Sequence, residues 1–328
     1  MTALGERRIT KVGATLRRNK PVLFAFALLI VLATVGEIHS VQFLGTNHDD
    51  ELVIDGALVA LVALGQTFVI LTGGIDLSIP WVLNASAVLL AVWANGSSAK
   101  MVWIVPLLIV GGGLIGLLNG IGTAVLPIPP IIMTLGMSGM VEGALLVYTN
   151  GNSGPTAPSA ATYLAVHVWG SIPTIGVLWV GVLVVATLVL SATAFGRRIY
   201  ATGLNSRVAA FAGVNVRKVK ITAYVVSGAS AALAGIALSG YVGSSYLGMG
   251  DPYLFESVAA VAIGGASVLG GTGNFVGTTG GALALVVLAA LLPIFGLQDN
   301  ALDIVYGLVI LVAVTISSGR VGRRRGGT

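Results

Sequence analysis

Sixteen of the 17 lysines and arginines in this chain fall into three short clusters, and the sequence between the clusters is a succession of apolar runs. A hydrocarbon core about 30 Å thick is crossed by a helix of roughly 20 mostly apolar residues. Runs of that kind lie at about 21–40, 52–71, 79–95, 101–120, 131–150, 174–194, 221–240, 257–273, 275–297 and 300–317. In lipid every backbone N–H and C=O must be satisfied within the protein, which leaves helices or closed barrels. Uninterrupted apolar runs point to helices, since barrel strands alternate. Charged residues make up 9% of the chain, against roughly 25% in soluble domains. That balance excludes a soluble enzyme, a nucleic-acid binder and a disordered chain. The 46 glycines follow no three-residue period and fit close helix packing in a membrane. With no cysteine, disulfides, thiolate metal sites and a cysteine nucleophile are absent.

The charge clusters orient the spans. The first holds Arg7, Arg8, Lys11, Arg17, Arg18 and Lys20; the second Arg197, Arg198, Arg207, Arg217, Lys218 and Lys220; the third Arg320, Arg323, Arg324 and Arg325. The positive-inside rule makes all three cytoplasmic, so both termini face inward and the number of spans is even. The basic character therefore reports orientation and needs no nucleic acid. Acidic residues (Asp49, Asp50, Glu51, Asp251, Glu256, Asp299, Asp303) gather toward the expected outer face. The expected fold is an all-α integral membrane protein of about ten transmembrane helices. Residues 1–20 and 318–328 are read as cytoplasmic basic tails, 21–317 as the transmembrane domain and 196–220 as its main cytoplasmic loop. Ten spans divide into two five-helix halves, and an odd number per half inserts the second inverted, as in many transporters. The eighth run is short and broken by glycine, which allows a re-entrant segment. Residues 151–173, rich in Gly, Pro, Ser and Thr, are placed outside.

Catalytic patterns are missing. There is no H-E-x-x-H, no G-x-S-x-G and no G-x-x-x-x-G-K-[ST] phosphate loop, and the three histidines are scattered. The run Gly264–Asn274 looks like a nucleotide loop but lacks its lysine, and helix packing or a helix break explains it better. The pairs Gly112/Gly116, Gly116/Gly120, Gly139/Gly143 and Gly273/Gly277 each set two glycines on one helix face for close packing. A carboxylate at mid-bilayer costs about 2.5–3.5 kcal/mol on insertion scales and usually faces protein or water. Glu142 lies near the middle of the fifth run. Asp76 follows the second, in Thr72-Gly73-Gly74-Ile75-Asp76-Leu77-Ser78, where Gly73 and Gly74 can break the helix and Asp76 and Ser78 can cap the next. These two carboxylates also leave an ion-coupled secondary transporter as a competing reading. The loop 196–220 holds a short expected helix, capped by Asn205 or Ser206, favoured by Ala209 and Ala210 and ended by Gly213. Phe211, Val208 and Ala212 give it an apolar face. On pattern alone it fits a partner's groove or the lipid surface equally.

Five motifs in order then resemble a known family. Thr72-Gly-Gly-Ile-Asp-Leu-Ser78; Leu118-Asn119-Gly120 with Ile128-Pro129-Pro130 and Thr134-Leu135-Gly136; Gly196-Arg197 through Gly213; Val216–Lys220 with Ser227-Gly228; and Ile263-Gly264-Gly265 with Leu269-Gly270-Gly271 and Gly277 are similar to segments of the membrane permease subunits of bacterial ATP-binding-cassette (ABC) importers of the ribose/monosaccharide type. The resemblance runs from about residue 50 to 317. It implies a permease, not an enzyme, in the bacterial inner membrane. Two permease subunits would form the pathway, separate cytoplasmic ABC ATPase subunits would bind ATP and Mg, and an extracytoplasmic solute-binding protein would deliver a monosaccharide. This chain would bind no cofactor itself. The resemblance makes the short helix of 196–220 the one that docks on the ATPase, with Asn205, Arg207, Ala209, Ala210 and Gly213 as coupling residues. Gly73, Gly74, Asp76, Ser78, Asn119 and Glu142 become candidates for the pathway or its helix breaks. The chain departs from the family pattern at Ser78-Ile79-Pro80-Trp81 and at Glu142, where many members carry arginine. A branched-chain amino-acid or other small-solute permease is the alternative for cargo.

Overall fold

The computed structural model describes residues 20–40, 43–152, 156–169, 172–297 and 300–325. Residues 1–19 and 326–328, most of the N-terminal tail and the end of the C-terminal one, lie outside the described residues, as does Asp299. The described chain is built from helices: α1 (Lys20–His39), α2 (Thr46–Leu71), α3 (Ile79–Ala94), α4 (Met101–Ala124), α5 (Pro130–Thr149), α6 (Ser159–Val166), α7 (Thr174–Ala192), α8 (Ala194–Leu204), α9 (Ser206–Phe211), α10 (Val216–Val242), α11 (Tyr253–Ile263), α12 (Phe275–Leu291) and α13 (Asn300–Arg325). A two-residue hairpin, β1 (Val168–Trp169) with β2 (Ile172–Pro173), is antiparallel.

Each of the ten apolar runs carries a helix, but the helices are unequal. Seven among the described residues are long and apolar enough to cross a membrane: α1, α2, α4, α5, α7, α10 and α12. Helices α3 and α11 have only 16 and 11 residues, and the apolar part of α13 is Ala301–Thr315. The structure thus gives an all-α membrane protein with seven helices of spanning length. The eighth run departs most from expectation: α11 starts at Tyr253 and ends at Ile263, and 264–274 is irregular. The stretch 151–173 contains α6 and the hairpin. The loop 196–220 is helical almost throughout, because α8 begins at Ala194 and α10 already at Val216. The backbone of α13 stays helical to Arg325, through most of the expected tail 318–328.

Burial sorts the helices. In α2, 83% of the apolar window is buried inside the protein, and in α12 72%; in α1 the figure is 11%. Helices α2, α3 and α10 therefore form the centre, around Leu58, Leu61, Leu83, Ala231 and Leu238, and α1 lies at the rim. Glycine sets the closest approach. A Cβ at Gly112, Gly116 or Gly120 of α4 would collide in turn with Gly228 O, Tyr224 O and Ile221 Cα of α10. The partners step backward as the glycines advance, so the two helices run antiparallel with their backbones in contact. The pair Gly139/Gly143 behaves differently: no atom stands within 4 Å of a Cβ at either position. Gly273 falls in the irregular segment rather than on a helix, while Gly277 packs on Gly264.

Two long helices, α2 and α10, are each followed by an irregular segment and a short helix. The second segment, 243–252, is tied to α3. With its nitrogen turned toward the Tyr246 carbonyl (3.0 Å), the Asn84 amide accepts from the Gly248 N–H (2.7 Å).

Candidate functional site

The segment between α2 and α3 gathers the chain's main buried polar cluster. Helix α2 stops because Gly73 takes a left-handed turn (φ 84°) and Gly74 N–H folds back to the Val69 carbonyl (3.1 Å). Gly74 has a second duty: a Cβ there would stand 2.6 Å from the Tyr224 Oη of α10. The freed backbone is then satisfied by side chains from three helices. Gln66 of α2 accepts from the Asp76 N–H (3.3 Å), and Thr134 of α5 accepts from the Leu77 N–H (3.0 Å). Tyr224 Oη donates to the Ile75 carbonyl (3.5 Å). Such partners are what irregular backbone requires at membrane depth.

Asp76 is the hub, with 1% of its surface exposed. Its Oδ1 accepts from the Ser78 N–H (3.0 Å) and the Ser78 hydroxyl (2.6 Å). Its Oδ2 accepts from the Ser227 hydroxyl of α10 (2.7 Å). Asn119 of α4 donates to Ser78 Oγ (2.8 Å). A buried carboxylate is tolerated when its lone pairs are filled, and here they are filled by neutral donors. The expected cap is thus reorganised: Ser78 makes no side-chain bond to the start of α3 and instead joins Asp76 to Asn119. Gln66 Nε2 and Asn119 Oδ1 have no partner among the described residues. No group of three or more His, Cys, Asp or Glu capable of holding a metal occurs among the described residues.

Gly73, Gly74, Asp76, Ser78 and Asn119 are therefore brought together. Glu142 is not. It sits on α5 beyond Thr134, half-buried, on the side that carries the open Gly139 and Gly143. Gln66, Thr134, Tyr224 and Ser227 complete the cluster and were not among the expected site residues. Their signal is a polar side chain inside an apolar run, and Thr134 and Ser227 each lie in a motif quoted above.

The residues of the loop 196–220 form a second feature. Asn205 caps α9, its Oδ1 accepting from the Arg207 and Val208 N–H groups (both 3.1 Å). Gly213 ends the turn with φ 81°. Arg207 and Ala210 are exposed, whereas Ala209 is buried and packs inward. What protrudes is apolar: Phe211 is 93% exposed, and Val208 and Leu204 are each 61% exposed. Val208 and Phe211, three residues apart, share one face of α9, and Leu204 ends α8 just before it.

Comparison with known proteins matches the branched-chain amino acid transport system / permease component family over residues 50–314. The chain is 32% identical over 308 residues to the autoinducer 2 import system permease protein LsrC of Escherichia coli O157:H7, covering 93% of this chain and 88% of the relative. The LsrC proteins of Shigella flexneri and Salmonella typhi are also 32% identical, over 308 and 305 residues, with 93% of this chain covered and 88% and 87% of the relatives. No solved structure matches the chain.

Proposed function

Since the chain belongs to the branched-chain amino acid transport system / permease component family, and is a permease subunit of an ABC importer, we propose that with a second permease subunit it forms the pathway for a monosaccharide. An extracytoplasmic binding protein delivers the sugar, and separate ATPase subunits, which hold ATP and Mg, drive the cycle. A ligand shifts a conformational equilibrium only by its differential affinity, so uphill transport needs that external source. The observation that carries the reading is α9: a capped helix presenting Val208 and Phe211 to the cytoplasm, beside Leu204 at the end of α8. An apolar knob with flanking arginines fits a groove on a soluble partner. The ordered motifs of residues 72–277 support a monosaccharide. The relatives are named for autoinducer 2 and the family for branched-chain amino acids, so the binding protein does most of the selecting.

All ten apolar segments cross in this reading, with both termini cytoplasmic. Helices α3 and α11 need no full bilayer length, because their ends meet protein groups such as Asp76, Thr134 and Asn84. The repetition of long helix, irregular segment and short helix in α2–α3 and α10–α11 supports two inverted halves.

The test is co-expression with ABC ATPase and solute-binding-protein subunits from the same organism. The reading expects a stable complex, ATP-dependent uptake in proteoliposomes, and a monosaccharide, not leucine or isoleucine, raising the melting temperature of the binding protein. Phe211→Asp is expected to reach the membrane normally and to lose the ATPase on purification. Solute accumulation by the chain alone, without any ATPase, would refute the proposal.

A further inference from the structure

Just before the exposed helix α9, the last turn of α8, the end of α2 and the irregular segment 264–274 meet largely backbone to backbone. The last turn of α8 brings Gly203 against the end of α2 and the segment 264–274. A Cβ at Gly203 would collide with the Leu71 carbonyl and the Gly271 N–H. A Cβ at Gly270 would stand 2.8 Å from Gly73 N and 3.3 Å from Gly203 Cα, and one at Gly271 2.7 Å from Leu204 N. Hydrogen bonds pin the junction. Gly271 N–H donates to the Leu71 carbonyl (3.0 Å). The Tyr200 hydroxyl donates to the Gly273 carbonyl (2.9 Å). The segment 264–274 is closed on itself by Ser267 N–H to the Thr272 carbonyl (2.8 Å). Gly270 and Gly271 have φ of 93° and 76°, which side chains other than glycine adopt at a cost.

Backbone in direct contact has no rotamers to absorb a displacement. Packed elements pass a movement on as discrete shifts rather than damping it. Gly73 stands three residues before Asp76, whose hydrogen bonds reach α2 and α10, while its neighbours Leu77 and Ser78 bond to α5 and α4. Gly264, at the other end of the loop, packs on Gly277 of α12. The junction thus joins Leu204, beside the Asn205 cap, to both interior helix breaks.

We infer that Gly203, Gly270 and Gly271, with Tyr200 as their tether, are positioning residues that transmit movement of the ATPase-docked helix to the breaks at 72–78 and 264–274. This rests on the importer reading given above. The junction moves as one unit, and the coupling of ATP hydrolysis to transport depends on it. In this scheme these residues act through others, not on the solute.

The test uses the complete complex of this chain, its ATPase and its binding protein in proteoliposomes. Transport is followed with radiolabelled ribose, or with whichever monosaccharide the binding-protein screen identifies. Tyr200→Phe keeps the ring and removes only the bond to Gly273, and it is expected to raise ATP hydrolysed per sugar moved several-fold at unchanged sugar affinity. Gly203→Val is expected to keep ATPase association and hydrolysis within about twofold and to lose about tenfold in uptake. Where Gly203→Val does not assemble, Tyr200→Phe and the following measurement decide. In the cysteine-free chain, spin labels at Arg198→Cys and Leu269→Cys, both exposed, should keep one separation with and without ATP. A separation that changes with ATP, or variants that move sugar at the normal ATP cost, overturn the junction and leave the importer reading standing. A wild-type complex that neither assembles nor takes up solute overturns the importer reading itself.

Discussion

Asp76 shows how one carboxylate can be kept inside a membrane protein without a cation. Its oxygens accept three hydrogen bonds, from Ser78 N–H, Ser78 Oγ and Ser227 Oγ. Asp76→Leu strands those donors, at about 1–3 kcal/mol for each left unsatisfied, and is expected to lower the thermal midpoint in detergent by several degrees. Asp76→Asn keeps an acceptor toward Ser78 and offers an amide to Ser227, so its midpoint should fall clearly less. Equal losses in the two variants would mean that the charge, not the bonding pattern, holds the break. Gly116 is a second sensitive position, with Tyr224 backbone where its Cβ would stand. Gly116→Leu is expected to cost about 1–3 kcal/mol through overpacking and to reduce the yield of folded protein in a size-exclusion profile, whereas Gly136→Leu, with open space around it, should leave the profile unchanged. The importance of Asp76 was legible in sequence, because a charge beside two glycines at the end of an apolar run is rare. Its bonding was not. The cap geometry expected for Ser78 is local, whereas the observed partners Asn119 and Ser227 lie 41 and 151 residues away.

Among the elements, α9 was the most readable and the short helices the least. The cap at Asn205, the alanines and the stop at Gly213 follow local rules, and the structure contains all three. Which side chains face outward could not be read locally: Ala209 is buried by its neighbours, while Phe211 projects. Removing the cap by Asn205→Ala is expected to destabilise α9 by about 0.5–2 kcal/mol and to reduce stimulation of the partner ATPase by loaded binding protein, with membrane insertion unchanged. Stimulation at the wild-type level would show that α9 needs no preformed cap to dock. Helix α11 ends at Ile263 although the apolar run continues to 273. Hydropathy counts Gly264, Gly265, Gly270 and Gly271 as neutral, but the positive φ of Gly265, Gly270 and Gly271 and the backbone contact of Gly264 with Gly277 end the helix.

At the scale of the whole molecule, α5 presents a face that the single chain leaves open. Gly136, Gly139 and Gly143 have no atom within 4 Å of a Cβ, and Glu142 lies half-buried among them. A carboxylate at this depth is not left to lipid. In the proposed two-subunit assembly this face would meet the second permease or line the path between the two. Gly139→Cys, as the sole thiol of the chain, is expected to give a cross-linked permease pair on oxidation in native membranes. Phe211→Cys, as a topology control, should react with an impermeant maleimide only in inside-out vesicles. Labelling of Phe211→Cys from the exterior would invert the orientation derived from the basic clusters.

The sequence alone determined that the chain is a helical membrane protein, where its apolar segments lie, and where the short helix within 196–220 starts and stops. These follow from free energies that depend on a residue and its near neighbours: transfer into hydrocarbon, local capping, and the φ a glycine permits. The tertiary structure alone decided which glycines are contacts and which are open, which hydroxyls close around Asp76, and that the breaks after α2 and α11 share one backbone junction with α8. Those outcomes depend on which helices become neighbours, and in a membrane that choice is made by packing and hydrogen bonding between distant segments, because every apolar face is equally content in lipid.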